Sequence, residues 1–343
     1  MRLIHTCSDV FVPGLTRRLL LAVLATLASA VAASPAGAAG HTTRSAPQAT
    51  PNVGIVDIYT TLGFQNGIAA GTGMILSHSG EVLTNNHVIR GATKFKVVDV
   101  TTHRTYGATV VGYSVSRDVA VLQMASASKL QTIRLGGSVR MRVGQPVVAR
   151  GNAQGLGGAP KAARGRVIAL HRQIVAKDES GDSETLTNVI ATNAPVVPGY
   201  SGGPLEDARN RAIGMVTAGS TSGVHRGFAI PIRQALIYAR AIEKGKSSAT
   251  VHVGPTAFLG VVLTDTSTGA AISQVFPGKA ADAAGLVAGD VITSLSGTAI
   301  SSSSDIRHVL LSLVPGTAVP IEWTDATHTA QTGSITPTSG PPQ

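Results

Sequence analysis

The chain has 343 residues, enough for one large domain or two ordinary ones, and 43% of them are apolar while only 3% are aromatic. A core must therefore be built from Val, Ile, Leu and Ala. The net charge is +10, but Lys and Arg are scattered, with no zinc-finger spacing and no aromatic-basic pattern, which argues against nucleic acid as a partner; the single cysteine, Cys7, excludes a disulfide framework.

Arg17 and Arg18 precede fifteen apolar residues, 19–33, and a small-residue stretch around Ala36-Gly37-Ala38. That run is short for a bilayer span and fits a signal peptide over 1–39, which implies a secreted or cell-envelope protein. Retention as an N-terminal membrane anchor is the competing reading. Residues 40–52 read as a flexible linker. From 53 to 245, short Val/Ile runs alternate with Gly, Asn, Asp and Ser turns. Strands are expected at 73–76, 82–84, 95–100, 109–112, 119–123, 147–149, 189–191 and 213–217, as a sandwich or a pair of barrels. Ile232, Leu236, Ala239 and Ile242 recur at helical spacing behind Pro231, predicting a closing helix over 232–244. A linker follows at 246–255. A smaller α+β unit spans 256–335, with strands near 258–263, 271–276, 290–295 and 318–323 and a helix near 304–313. Residues 336–343 read as a disordered tail.

Three stretches of the larger unit could carry chemistry: T-N-N-H-V-I (84–89), S-R-D-V-A-V-L (116–122) and P-G-Y-S-G-G-P-L (198–205). Each alone has an ordinary structural explanation. Together, His87, Asp118 and Ser201 supply what acyl transfer by serine requires: a base for the hydroxyl proton, an acid to orient that base, and a nucleophile. The backbone amides of Gly199 and Ser201 are candidates for an oxyanion hole, with Gly199 free of a Cβ that would obstruct it. The glycine-rich segment 151–158 lacks the G-K-[ST] ending of a phosphate loop, and the acidic segment 177–184 lacks an EF-hand pattern; both read as surface loops. No cofactor and no metal are implied.

The chain resembles the HtrA/DegP-type trypsin-like serine proteases with a C-terminal PDZ domain, of the bacterial secreted kind. The matching stretches are G-T-G-M-I-L (71–76), T-N-N-H-V-I, D-V-A-V-L-Q (118–123), G-Y-S-G-G-P-L and G-F-A-I-P (227–231). The resemblance implies a mostly β fold: a chymotrypsin-like double β-barrel, two six-stranded barrels with the triad between them, then a small α+β PDZ domain. It implies a serine endopeptidase acting on unfolded or exposed polypeptides. Met215, Val216 and Thr217 would then edge the substrate cleft, and Pro195 and Val216 would lie near the first specificity pocket. The absence of an Asp at that pocket's base implies a small or medium apolar P1 residue. Two positions depart from the family: Asn193 stands where an Asp is usual, and Tyr200 where Asn or Asp is usual. Both lie in the loop that forms the oxyanion hole, which leaves open a slow enzyme or one that needs activation.

The resemblance extends to A-F-L-G-V (257–261) and F-P-G-K-A-A-D-A-A-G-L-V-A-G-D-V-I (276–292). It implies a PDZ carboxylate-binding loop at Phe258, Leu259 and Gly260, taking C-terminal or extended peptides by strand addition. Relatives are often homotrimers; Tyr59 and Phe64 are the aromatic candidates for such a contact. The rival class is a peptide-binding or chaperone-like protein whose peptidase body is weak or inactive.

Overall fold

A computed structural model describes residues 9–11, 51–137, 141–177, 183–219 and 226–343. The apolar run 19–33 and its cleavage stretch lie outside the described residues. No helix among the described residues is long and apolar enough to cross a membrane.

The β-branched runs of the first half, separated by turns, form two closed antiparallel barrels of six strands each. In the first, Thr105–Ser114, Lys94–Asp99, Ile55–Leu62, Gly67–Ile75, Glu81–Thr84 and Val119–Met124 are neighbours in that order, and the last pairs back onto the first. In the second, the circuit runs Lys161–Lys177, Ser183–Thr192, Gly227–Pro231, Ala212–Gly219, Pro204–Glu206 and Pro146–Gly151, closing on Lys161–Lys177. Closure leaves neither barrel with an unpaired outer strand, so each can bury its interior completely. The expected double barrel is what the chain forms.

The longest strand departs from the sequence reading. The seventeen-residue strand Lys161–Lys177 was not expected. It serves three partners, pairing with Pro146–Gly151 through residue 166, with Ser183–Thr192 beyond it, with bulges in that second register, and along its other edge at residues 175–177 with Asp9–Phe11. The predicted closing helix is present as Ile232–Glu243, and its buried face of Ile232, Ala235, Ala239 and Ile242 packs into a cluster holding residues of both barrels, including Met74, Val119, Ala212 and Met215. Full burial of each such isoleucine contributes about 1.5–3 kcal/mol, so this helix ties the barrels together across the cleft.

The smaller unit has a sheet in the order Val261–Thr266, Gly269–Val275, Val291–Leu295, Val319–Thr324, Ala330–Ile335, with the helix Ser303–Ser312 against it. That helix starts on a capping box in which Ser302 and Asp305 satisfy each other's backbone amides. The strand expected near 258–263 is broken at Leu259-Gly260, where Gly260 has φ +81°.

The segment read as a disordered tail is ordered. Thr338–Gly340 pairs antiparallel with Thr256–Phe258, and Pro341 and Pro342 are buried. The Gly91 amide donates to the Pro342 carbonyl at 2.9 Å, and Asn86 Nδ2 donates to the Gln343 carbonyl at 3.0 Å. Its Pro, Ser and Gly composition suggested a loose chain; long-range pairing and burial overrule that composition. The linker region also holds a strand, His252–Val253, paired with Tyr113 and Gly112 of the first barrel. Phe64, at the tip of the hairpin joining Ile55–Leu62 to Gly67–Ile75, packs between Phe258 and Phe276 at centroid distances of 4.7 and 4.8 Å. One of the two rings considered for a trimer contact is thus engaged within the chain.

Candidate active site

His87 sits on the one-turn helix Asn86–Ile89, which follows the strand Glu81–Thr84 and is anchored by buried Val88 and Ile89. Asp118 directly precedes the strand Val119–Met124 and has φ +51°, an uncommon conformation for a residue with a side chain. It is held there by its amide, which donates to the Val115 carbonyl at 2.9 Å, and by its carbonyl, which accepts from Asn85 Nδ2 at 2.8 Å. The Asp118 carboxylate then reaches His87 twice: it accepts from the His87 amide at 3.0 Å and lies 2.9 Å from Nδ1. A third donor comes from the second barrel, the hydroxyl of Thr217 on Oδ2. The carboxylate is 1% exposed, so these three donors replace its water.

This arrangement fixes the imidazole by one edge. Nδ1 faces Asp118, which leaves Nε2 buried without a hydrogen-bond partner among the described residues. Burial pushes the His87 pKa down, but the charge and hydrogen bond of Asp118, assisted by Glu184, outweigh it and the net shift is upward. Glu184 lies close because it forms an ion pair with Arg90, three residues beyond His87; its own pKa is raised, burial outweighing the guanidinium.

Ser201 comes from the second barrel, in the turn before Pro204–Glu206, and is 8% exposed. Its Oγ points to the Thr217 carbonyl at 3.4 Å and makes no hydrogen bond to His87 Nε2. Around it the backbone accounting is specific. The carbonyl of Pro198 accepts from Gln154 N at 2.7 Å, that of Gly199 from Thr72 Oγ1 at 2.6 Å, that of Tyr200 from Gly203 N at 2.9 Å and that of Ser201 from Thr72 N at 2.8 Å. The amides of Tyr200 and Gly202 donate to Val197 and Val216. The amides of Gly199 and Ser201 are left without an acceptor among the described residues. Two unpaired donors with one residue between them, the second on the serine itself, are what an oxyanion requires. Gly199 has φ +91°, and a Cβ there would lie 1.9 Å from the Asn152 carbonyl oxygen.

The larger body matches the family model for a trypsin-like peptidase domain over residues 71–215, and the smaller one that for a PDZ domain over 257–324. The chain belongs to the trypsin-like peptidases that carry a PDZ domain. It is 34% identical over 318 residues to the serine protease PepD of Mycobacterium tuberculosis, covering 87% of this chain and 66% of that protein. It is 35% identical over 263 residues to the periplasmic pH-dependent serine endoprotease DegQ of Escherichia coli, covering 73% and 55%. Among solved structures, the HtrA-type protease AlgW with tripeptide is 27% identical with a TM-score of 0.50, covering 84% of this chain and 95% of that one. The chain thus spans between about half and two thirds of the length of these two curated relatives.

The remaining expected residues of this PDZ-bearing peptidase distribute less evenly. Met215 and Val216 turn their side chains into the barrel cores at 0% and 2% exposure, so only their backbone can face a substrate. On one edge of their strand, Met215 pairs with Pro204 and Val216 N donates to Gly203, while Thr217–Gly219 has no partner strand on that edge among the described residues. The Thr217 hydroxyl holds Asp118, a contact that the expected cleft-edge role does not include. Pro195 is exposed; its neighbour Val196 packs against Gly219 and Gly227, where an added Cβ would come within 3.0 Å of it in each case. Val196 was missed because its sequence context gives no sign of what lies across from it. Tyr200 is 4% exposed and belongs to a buried cluster with Val147, Val196 and Leu205, so its ring leaves the oxyanion loop and enters the barrel core. Asn193 accepts from the Arg166 amide at 2.7 Å and pins its loop to the long strand. In the PDZ domain, Leu259 is buried, its carbonyl accepting from Ala281 N at 2.8 Å, and the Gly260 carbonyl accepts from Phe276 N at 2.8 Å. Val261–Thr266, directly after Gly260, is an edge strand of its sheet.

Proposed function

We propose that the protein is an exported serine endopeptidase in which Ser201 attacks the peptide carbonyl, His87 Nε2 takes the Oγ proton, and Asp118 holds the imidazole and stabilises its cation. The proton passes to the leaving amine as the C–N bond breaks, and water then hydrolyses the Ser201 ester by the same groups in reverse. The amides of Gly199 and Ser201 receive the developing oxyanion. The observation that carries this reading is the buried, unpartnered Nε2 of a histidine whose other nitrogen is fixed on a buried carboxylate. The 3.4 Å contact of Ser201 Oγ with the Thr217 carbonyl is long for a hydroxyl hydrogen bond, so it holds the Oγ only weakly before attack.

The open backbone edge at Thr217–Gly219 supports binding of substrate as an added strand, and Val196 with two facing glycines supports a small apolar P1 side chain. The edge strand Val261–Thr266 supports recruitment of C-terminal or extended peptides by the PDZ domain. The apolar run 19–33 supports export to the cell envelope or beyond. A second reading, a peptide-binding protein with little activity, is favoured by the missing Ser201–His87 hydrogen bond. The two are separated by a fluorophosphonate probe and casein, each with the wild type and Ser201→Ala. Ser201-dependent labelling with casein cleavage supports the peptidase; neither in the wild type favours the binding protein.

A further inference from the structure

The oxyanion loop belongs to the second barrel, yet two of its four engaged carbonyls are held by one residue of the first. Thr72, on the strand Gly67–Ile75, is fully buried. Its hydroxyl donates to the Gly199 carbonyl at 2.6 Å and accepts from the Asn152 amide at 2.9 Å, and its own amide donates to the Ser201 carbonyl at 2.8 Å. Its carbonyl accepts from the Thr84 hydroxyl at 2.8 Å, just before the histidine-bearing turn. The peptide unit from Gly199 to Tyr200 is therefore fixed at both ends, its C=O by Thr72 Oγ1 and its N–H by the Val197 carbonyl. That unit lies between the two free amides, so its orientation sets the direction in which both point.

The side chain at position 200 cannot do this work, because the Tyr200 ring is sunk in the barrel core. We propose that Thr72 is the positioning residue of the oxyanion hole, fixing the Gly199–Tyr200 peptide from the opposite barrel so that the Gly199 and Ser201 amides converge on one point. This rests on the peptidase reading above. Because the second strand contact is made by the Thr72 backbone, the hydroxyl can be removed while the barrels stay paired.

The test is the series Thr72→Val, Thr72→Cys and Thr72→Ser, assayed on a quenched peptide with Val at P1 and with a peptide trifluoromethyl ketone, which forms a tetrahedral adduct with the serine. Misaimed donors should lower kcat about 10- to 100-fold in Thr72→Val with KM within about twofold, and weaken the ketone in proportion to kcat. Thr72→Cys, a weaker donor, should fall between, and Thr72→Ser should restore wild-type kcat. Should the valine variant fold poorly by thermal melt, the serine-to-cysteine step alone decides. A valine or cysteine variant with unchanged kcat, or a loss carried by KM, overturns the assignment. A wild type that neither labels with fluorophosphonate nor cleaves overturns the peptidase reading and this assignment with it.

Discussion

Gly199→Ala isolates the geometry of the proposed oxyanion hole. The added Cβ would stand 1.9 Å from the Asn152 carbonyl oxygen, whereas real contacts do not fall under 3.0 Å, so loop or carbonyl must move by at least about 1 Å. The left-handed φ of +91° adds roughly 1–2 kcal/mol of backbone cost. Gly144 has nearly the same φ, +86°, with nothing within 4 Å of a Cβ, so Gly144→Ala carries the backbone cost without the collision. A displacement of about 1 Å at the reacting centre lowers turnover about 100-fold, and loss of one oxyanion donor about 100- to 1,000-fold. Gly199→Ala is therefore expected to lose that much kcat on a quenched peptide, while Gly144→Ala loses stability in a thermal melt and keeps its turnover. Equal kcat in the two variants would refute the reasoning, because it would mean that the collision is absorbed without moving either donor.

Activity should rise with pH through the raised pKa of His87, so the acidic limb of kcat/KM should lie above the pH 6.5 of an unperturbed imidazole; a limb below 6 contradicts the pull of Asp118. The same shift makes protonated His87 stabilising below its unfolded pKa, and that contribution is lost as pH rises through the folded value. Asp57 is 1% exposed with Oδ1 unpartnered, and burial pushes its pKa up to about 7. The folded state therefore binds its proton more tightly than the unfolded state does, and stability falls between about pH 4 and 7. Asp57→Asn should raise Tm at pH 8 relative to the wild type and change it little at pH 4; an equal shift at both would remove Asp57 from the pH dependence.

How far the sequence reached depended on how local the information was. The hydroxyl, imidazole and carboxylate were legible because each sits in a short stretch whose neighbours fix it: Asn85 behind His87, the V-A-V-L strand behind Asp118, glycines around Ser201. Eight of the twelve barrel strands were legible at least in part as β-branched runs; Lys161–Lys177 was not, because Gly165 and the basic residues Arg164, Arg166 and Arg172 interrupt the pattern and the register is set by different partners along its length. The hydroxyl contacts of Thr72 and Thr217 were not legible, although the resemblance had placed Thr217 at the cleft edge, since their partners lie 127 and 99 positions away on the other barrel. Tyr200 looked like a missing polar group; burial shows instead a ring spent on the core.

Phe64 has a consequence for how the molecule comes apart. Its ring is covered by Phe258 and Phe276, and Lys279 Nζ lies 5.7 Å from its centroid, while Tyr113 of the same barrel hydrogen-bonds Thr256 and the Gln343 amide. A peptidase body severed from its partner would carry a bare aromatic tip and a bare phenol into water, and a severed PDZ domain would expose two more rings. The two bodies are thus poor candidates for separate expression, and heating should melt them in one calorimetric transition, with the smaller body acting as a solvent shield for the larger.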